Sequence, residues 1–287
     1  MNKLADLEYL VEAAWSSEDQ RAVGSDVREA VMLTIAGLDA GTIRLAERVS
    51  QGEWRVNEWV RKAIMLSFAV TEPHILRSGD IAYIDDRSAY KFSHWSAEEA
   101  TAAGMQIHAP SIVRRGAYIG KRTIVIAGYV AIGAYVGDGT VVDGFVNVGS
   151  GAQIGESVHL SAGTCIGGVL EPVQARPVII EDRCFIGANT SIVEGVIVEE
   201  GSVIGMGVQL GQSTRIFDRA TRKVSYGRIP AGSLVMPGTL ADPSGLYSTP
   251  CAIIVKTVDQ FVRSKTAVNE ILRWRESQWT DLDSLPL

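Results

Sequence analysis

Cysteine and histidine are scarce in this chain of 287 residues, with three of the first and four of the second. Cys165, Cys184 and Cys251 have neither the even count nor the close spacing of a secreted disulfide framework or a zinc site, so a reducing cytoplasm is the expected setting. Only His159 falls in the patterned central stretch, with His74, His94 and His108 before it. The converging imidazoles of a catalytic zinc are missing, and no metal is expected. Positive charge is not in excess: 27 Lys+Arg against 33 Asp+Glu leave a formal charge of -6. That balance gives no global attraction to nucleic acid or an anionic bilayer, and neither is an expected partner. Long apolar runs are also lacking. The longest, residues 124–137, falls short of the roughly 20 residues that span a bilayer and is broken by glycines, while Asp6 and Glu8 interrupt the stretch a signal peptide would need. With 46% hydrophobic and 21% charged residues, the composition is that of a globular chain.

What is present is a period of six. Steps of six from Ile124 land on Val130, Val136, Val142, Val148, Ile154, Leu160 and Ile166. A second series runs Ile180, Ile186, Ile192, Val198, Ile204, Leu210 and Ile216, and Ile229 and Val235 continue it. All seventeen positions are Ile, Val or Leu, and small residues such as Gly137, Gly149, Gly155 and Gly187 often follow them. Neither a helix of period 3.6 nor a strand of period 2 requires this. A coil of three short strands joined by sharp corners does, each coil giving three aliphatic side chains to a triangular interior and pairing with the next about 4.8 Å away. The interruptions at 167–178 and 217–228 are expected to be external loops. The second carries Arg219, Arg222, Lys223 and Arg228, a basic cluster suited to phosphate groups or equally a solvated hairpin.

Residues 1–108 show helical spacing instead, in Val27, Val31, Ile35 and Leu38 and again in Trp59, Ala63 and Leu66. The expected organisation is a helical N-terminal domain over 1–108, a parallel β-helix over 109–238, and a C-terminal part over 239–287. That last part holds a strand at Cys251-Ala252-Ile253-Ile254-Val255 and a helix over about 257–275. The two ends are expected to cap the β-helix, whose terminal coils would otherwise expose unpaired backbone. The fold class is thus mainly β, with helices at the N-terminus and a small α/β C-terminal segment.

Such a fold serves several chemistries and some passive scaffolds, so residues must decide. The stretches Asp26-Val27-Arg28-Glu29-Ala30-Val31, Val148-Gly149-Ser150-Gly151-Ala152-Gln153-Ile154-Gly155, Ile166-Gly167-Gly168-Val169-Leu170-Glu171-Pro172, Val193-Glu194-Gly195-Val196-Ile197-Val198-Glu199-Glu200-Gly201 and Gly211-Gln212-Ser213-Thr214-Arg215-Ile216 resemble the tetrahydrodipicolinate N-succinyltransferase family of bacterial lysine synthesis. The similarity covers nearly the whole chain. It implies a left-handed β-helix, a homotrimer, an acyl-CoA (succinyl-CoA or acetyl-CoA) lying between neighbouring β-helices, and an amino-acid acceptor whose amine attacks the thioester there.

That chemistry needs a proton acceptor and donors for the tetrahedral oxyanion. Asp143 stands at the family's functional aspartate and is the expected acceptor; a corner aspartate bonded to its own backbone is the plain alternative. His159 is a second candidate base, or a histidine bonded between coils. Oxyanion and cofactor contacts are expected from backbone amides in the run from Ser161 through Gly163 to Gly167. Ala188, Gly205 and Gly211 match small positions along the family's CoA groove, and Lys223 suits a CoA phosphate. Cys165 reads as a packing thiol, since direct transfer needs no acyl-enzyme.

Three departures fall where the family holds its acceptor. Gln106 replaces an arginine expected to pair with a carboxylate. Phe145, in Asp143-Gly144-Phe145, replaces a tryptophan. Ser191, in Ala188-Asn189-Thr190-Ser191, replaces a second functional carboxylate, and Glu194 is expected to face another way. A neutral amide does not replace a bidentate Arg–carboxylate pair. The acceptor is therefore expected to have changed, with a family relative in tabtoxin synthesis as precedent. The rival expectation is ordinary succinylation with relocated charges, for which Arg114 and Arg115 are near enough in sequence. A trimeric binding or scaffold protein that lost the chemistry is the non-catalytic alternative.

Overall fold

A computed structural model describes residues 3–17, 24–50, 52–72, 74–78, 81–85 and 90–258. Nineteen aliphatic residues in three stacks make the core. Strands of two or three residues wind through three parallel sheets that close a triangular prism. The front face stacks the strands holding Ile107, Val125, Val142, Leu160, Ile186, Ile204 and Val235. The side face stacks those of Val113, Val130, Val148, Ile166, Ile192 and Leu210. The back face stacks those of Ile119, Val136, Ile154, Ile180, Val198 and Ile229.

Sixteen of the seventeen positions in the six-residue series are at most 1% exposed. Ile124 is the exception. Val125 turns inward in its place and pairs with Val142, because the strand Ile124–Ile126 is followed by a corner one residue shorter, with Ala127 at φ +47°. Ile216, though fully buried, belongs to none of the three stacks: its strand joins the front sheet beside the C-terminal strand.

In most coils the residue two before the inward aliphatic also points inward and is small, often a hydroxyl. Thr140, Thr164 and Thr190 are fully buried, and each donates to a corner carbonyl: Thr140 to Gly155 at 2.8 Å, Thr164 to Ser161 at 2.6 Å and Thr190 to Gly205 at 3.0 Å. A hydroxyl can be buried there because its bond is supplied by the corner it supports. Corners also need close approach. A Cβ on Gly149 would stand 2.4 Å from the Gly168 nitrogen, so a side chain is excluded by backbone one coil above.

The N-terminal region packs on this prism through helices α1 (Lys3–Trp15), α2 (Ser25–Asp39) and α3 (Glu58–Val70). Val11, Val31, Ile35, Leu38, Ala63 and Leu66 form one cluster with Ile132 and Val169 of the β-helix. The expected helical spacing holds, but the region is not purely helical. A hairpin, β1 (Ala46–Ser50) and β2 (Glu53–Val56), stands between α2 and α3. A second hairpin, β3 (His74–Ser78) and β4 (Ile81–Asp85), and a short helix α4 (Ala97–Ala103) follow. The first hairpin clamps the back face: the Arg44 guanidinium lies 3.6 Å from the Tyr135 ring centroid and donates to Gln153, and Trp54 donates to Glu181 at 2.8 Å.

Phe92, Met105 and Ile107 pack under the first coil. At the other end, strands Ser233–Ala241 and Ser248–Thr257 form a hairpin that carries Ala252 and Ile254 onto the last coil. Interruption 167–178 is not purely external, since Val169 is buried against the helices. Interruption 217–228 is an antiparallel hairpin, Phe217 opposite Val224. The first coil already includes Gln106–His108, and the strand Ser233–Ala241 runs across position 238. The helix expected over 257–275 lies outside the described residues beyond Val258. No helix among the described residues is long and apolar enough to cross a membrane.

Candidate active site

Within each strand the residue before the inward aliphatic faces outward, and between strands the corners stack into three edges. The edge between front and side faces collects Asp143, Gly144 and Phe145; then Ser161, Ala162 and Gly163; then Gly187, Ala188 and Asn189; then Gly205, Met206 and Gly207. Coil-to-coil bonds fix this register: the Asp143 N–H donates to Leu160 at 3.0 Å, Gly163 to Gly144 at 2.9 Å, Asn189 to Ala162 at 3.0 Å and Gly207 to Ala188 at 3.0 Å. Six of the expected site residues, Asp143, Phe145, Ser161, Gly163, Ala188 and Gly205, therefore share one edge.

Asp143 is half-buried, and its Oδ1 accepts from the Gly144 N–H at 2.8 Å, which fixes the carboxylate at the corner. Phe145 is 81% exposed with φ +59°, an uncommon conformation for an aromatic residue. Met206, three rungs above, is 66% exposed. Most amides of the run expected to furnish oxyanion donors are already used. Ser161 donates to Ile186, Gly163 to Gly144, Thr164 to Ser161, Cys165 to Thr190 and Gly167 to Ile192. Among the described residues no hydrogen bond engages the N–H of Ala162 or Ala188, at the middle of two successive corners.

The other expected residues are elsewhere. Gly167 and Gly211 lie on the edge between side and back faces, where added Cβ atoms would meet Val193 and the Glu194 carboxylate. They are not brought to the Asp143 edge, because glycines at all three corners look alike in sequence. Glu194 shares their edge and accepts from the Gln212 N–H at 2.7 Å, so it does face another way. Lys223 is exposed on the hairpin at 217–228. Gln106 is exposed at the foot of the front face, two rungs below Val141, and approaches His108 at 3.3 Å. Ser191 faces outward on the side face, next to Cys165 and Gln209. His159, on the front face, is 3% exposed and stacked on Phe185 with centroids 4.9 Å apart and 10° between planes.

Sequence reasoning missed the side face. A ladder of Tyr129, Asn147, Cys165, Ser191 and Gln209 faces outward there, and a cavity of about 560 Å³ opens at its lower end beside Arg114 and Ser150. Subtracting one from each inward position would have found the ladder. Cys165 is half-buried there and accepts from Asn147 Nδ2 at 3.8 Å.

Burial pushes the Cys184 thiol from about 9 up to about 12. A thiol reagent at neutral pH is therefore expected to label Cys165 in the folded protein and to reach all three cysteines only in denaturant, read by mass spectrometry. Because the folded thiol ionises later than the unfolded one, its contribution to stability is intact below pH 9 and lost as pH rises towards 12, seen as a falling urea midpoint.

A closed stack of hexapeptide coils with a polar, glycine-lined edge defines a protein of the hexapeptide-repeat β-helix class, and residues 177–212 match the hexapeptide repeat of succinyl-transferases. Residues 6–70 match the N-terminal part of tetrahydrodipicolinate N-succinyltransferase. The chain is 50% identical over 267 residues to a 2,3,4,5-tetrahydropyridine-2,6-dicarboxylate N-succinyltransferase of Polynucleobacter asymbioticus, covering 92% of this chain and 97% of the relative. It is 53% identical over 249 residues to the enzyme so named in Acinetobacter baylyi, covering 87% and 90%. The chain belongs to the tetrahydrodipicolinate N-succinyltransferase family of acyltransferases.

Proposed function

We propose that the protein transfers an acyl group from acyl-CoA to the amino group of tetrahydrodipicolinate or a close amino-acid analogue, in the cytoplasm, at a site completed between copies of a homotrimer. The observation that carries this reading is the edge where the Asp143 carboxylate lies one rung below the unengaged N–H of Ala162. A tetrahydropyridine contains a cyclic imine, and addition of water opens it to a ketone and a primary amine. The amine nitrogen attacks the thioester carbonyl and its proton passes to Asp143. The Ala162 N–H donates to the developing oxyanion, and collapse of the tetrahedral intermediate breaks the C–S bond and releases CoA thiolate. Ser161, Gly163, Ala188 and Gly205 leave the edge low enough for a pantetheine arm, and Lys223 serves a phosphate of CoA. Exposed Phe145 and Met206 suit an edge covered by a second subunit.

Incubation with succinyl-CoA or acetyl-CoA and tetrahydrodipicolinate is expected to release one CoA thiol per N-acyl product, followed by thiol titration and mass spectrometry. Absence of release with every donor and amino-acid acceptor would instead support the non-catalytic scaffold. A changed acceptor is the second reading, favoured by the uncharged ladder of Asn147, Cys165, Ser191 and Gln209 beside the edge and by Gln106; rapid turnover with succinyl-CoA and tetrahydrodipicolinate would sink it.

A further inference from the structure

The edge that carries Asp143 continues below it. The Phe145 N–H donates to the Ala127 carbonyl at 3.2 Å, and the Ile112 N–H donates to the Gly128 carbonyl at 2.8 Å. The first-coil corner at 108–111 therefore stands two coils under Asp143 on the same edge, where Ser111 Oγ also donates to the Val125 carbonyl at 3.2 Å. A cavity of about 490 Å³ opens at that corner. Tyr90, Phe92, Trp95, Met105 and Ile107 wall it, and His108 and Ser111 line it from the corner itself. Among the described residues no Asp, Glu, Lys or Arg lines it, and His108 Nε2 lies 3.3 Å from Gln106 Oε1.

The walls are fixed from outside the cavity. The Lys91 N–H donates to the Val113 carbonyl at 2.9 Å, and the Lys91 ammonium, on a side chain 5% exposed, pairs with Asp39 at 2.8 Å. That pair ties the segment carrying Tyr90, Phe92 and Trp95 to the end of α2. Phe92 and Trp95 meet edge to face with centroids 4.8 Å apart. Ser96 and Glu99 form the capping box that starts α4, and Ala100 of that helix lines the cavity from its exposed side. A preformed concave site walled by aromatic and aliphatic groups, with few polar ones, is the usual form of a small-molecule site.

Place on the edge identifies the occupant. In the transfer proposed above, CoA takes the corners above Asp143 and the acceptor amine lies at Asp143, so the rest of the acceptor continues downwards. The corner on the way, Ala127 and Gly128, is small and leaves room for it. Two coils span about 10 Å. An extended carbon chain advances about 1.3 Å per bond, so about six bonds from the amine nitrogen, with a hydrogen bond of about 3 Å to Asp143, bring a terminal methyl to the cavity. A carboxylate at that end would be stripped of water and meet no cation on the cavity wall.

We propose that this cavity receives the apolar end of the acceptor, which is then an α-amino acid with an alkyl tail of about five carbons in place of a distal carboxylate. The assignment rests on the acyl transfer proposed above and gives the changed acceptor its chemical class.

The test measures thiol release with saturating succinyl-CoA or acetyl-CoA and three acceptors. These are L-2-aminoheptanoate; L-2-aminopimelate, in which a carboxylate replaces the terminal methyl; and L-2-aminobutanoate, which ends short of the cavity. The unaltered protein is expected to favour L-2-aminoheptanoate over each of the others by roughly 10-fold or more in kcat/KM. Ala100→Trp, at an exposed position of α4, fills the cavity. It is expected to lower kcat/KM for L-2-aminoheptanoate roughly 10- to 100-fold, the range for an aliphatic side chain that loses its pocket, and to leave L-2-aminobutanoate and the KM for acyl-CoA within about threefold. Trp95→Ala, which removes a wall, is expected to give the same selective loss. Preference of the unaltered protein for L-2-aminopimelate, equal losses on long and short acceptors, or no loss in either variant would overturn the assignment and leave the transfer reading standing. If the unaltered protein releases no thiol with any acceptor, the transfer reading fails, and calorimetric titration with L-2-aminoheptanoate still decides the cavity. Binding that Ala100→Trp abolishes supports it; equal binding in the variant, or none to the unaltered protein, overturns it.

Discussion

Asp143→Asn is expected to lower kcat/KM for CoA thiol release by about 10² to 10⁴, the range that a positioned proton acceptor contributes. The substitution is nearly isosteric. An amide oxygen in place of Oδ1 still accepts the Gly144 N–H bond that holds the side chain at the corner, and the backbone bond from Asp143 to Leu160 does not involve the side chain. Thermal unfolding should therefore be unchanged, which separates loss of chemistry from loss of fold. The defect should lie mainly in kcat, because an amide still orients an amine but does not take its proton. Unchanged turnover in this variant would remove Asp143 from the reaction and leave it the corner aspartate that its bond to Gly144 already makes it.

Ile186→Ala should destabilise the fold by about 2–5 kcal/mol. Ile186 is fully buried on the front stack between Leu160 and Ile204, and two-residue strands have no slack to collapse onto the space left behind. Coils above and below are held by parallel bonds that the cavity would loosen, so urea unfolding should shift its midpoint with little change in slope. Tyr9→Ala, at a side chain 74% exposed on α1, is the control and should change stability by under about 0.5 kcal/mol.

The prism was legible because its core is written locally. A side chain every six residues turns in whatever the neighbouring coil does, and sixteen of seventeen assignments are buried accordingly. Ile124 failed where Ile124, Val125 and Ile126 are all apolar and only the length of the following corner tells which turns inward. The β1–β2 hairpin was not legible, since strands that clamp another sheet carry no six-residue mark.

The candidate site was legible in part. Asp143 and Ser161 are eighteen residues apart, one full coil, and share an edge; Gly167, six residues further, has moved to the next. Counting by eighteen would have separated them, but insertion of the loop at 167–178 hides the phase for Ala188, Gly205 and Gly211. Engagement of the amides is equally out of reach of sequence, because whether Gly163 or Ala162 is spent depends on which carbonyl the coil below presents.

By itself the sequence determined the coil, its aliphatic interior and the residue types available at every corner, because backbone periodicity and burial act over a few residues. Only the tertiary structure decided which corners stack together, which backbone N–H groups remain unspent at Asp143, and that Arg114 reaches the side-face cavity. Those are relations between coils eighteen or more residues apart, and the lengths of the corners and loops that join the coils set them.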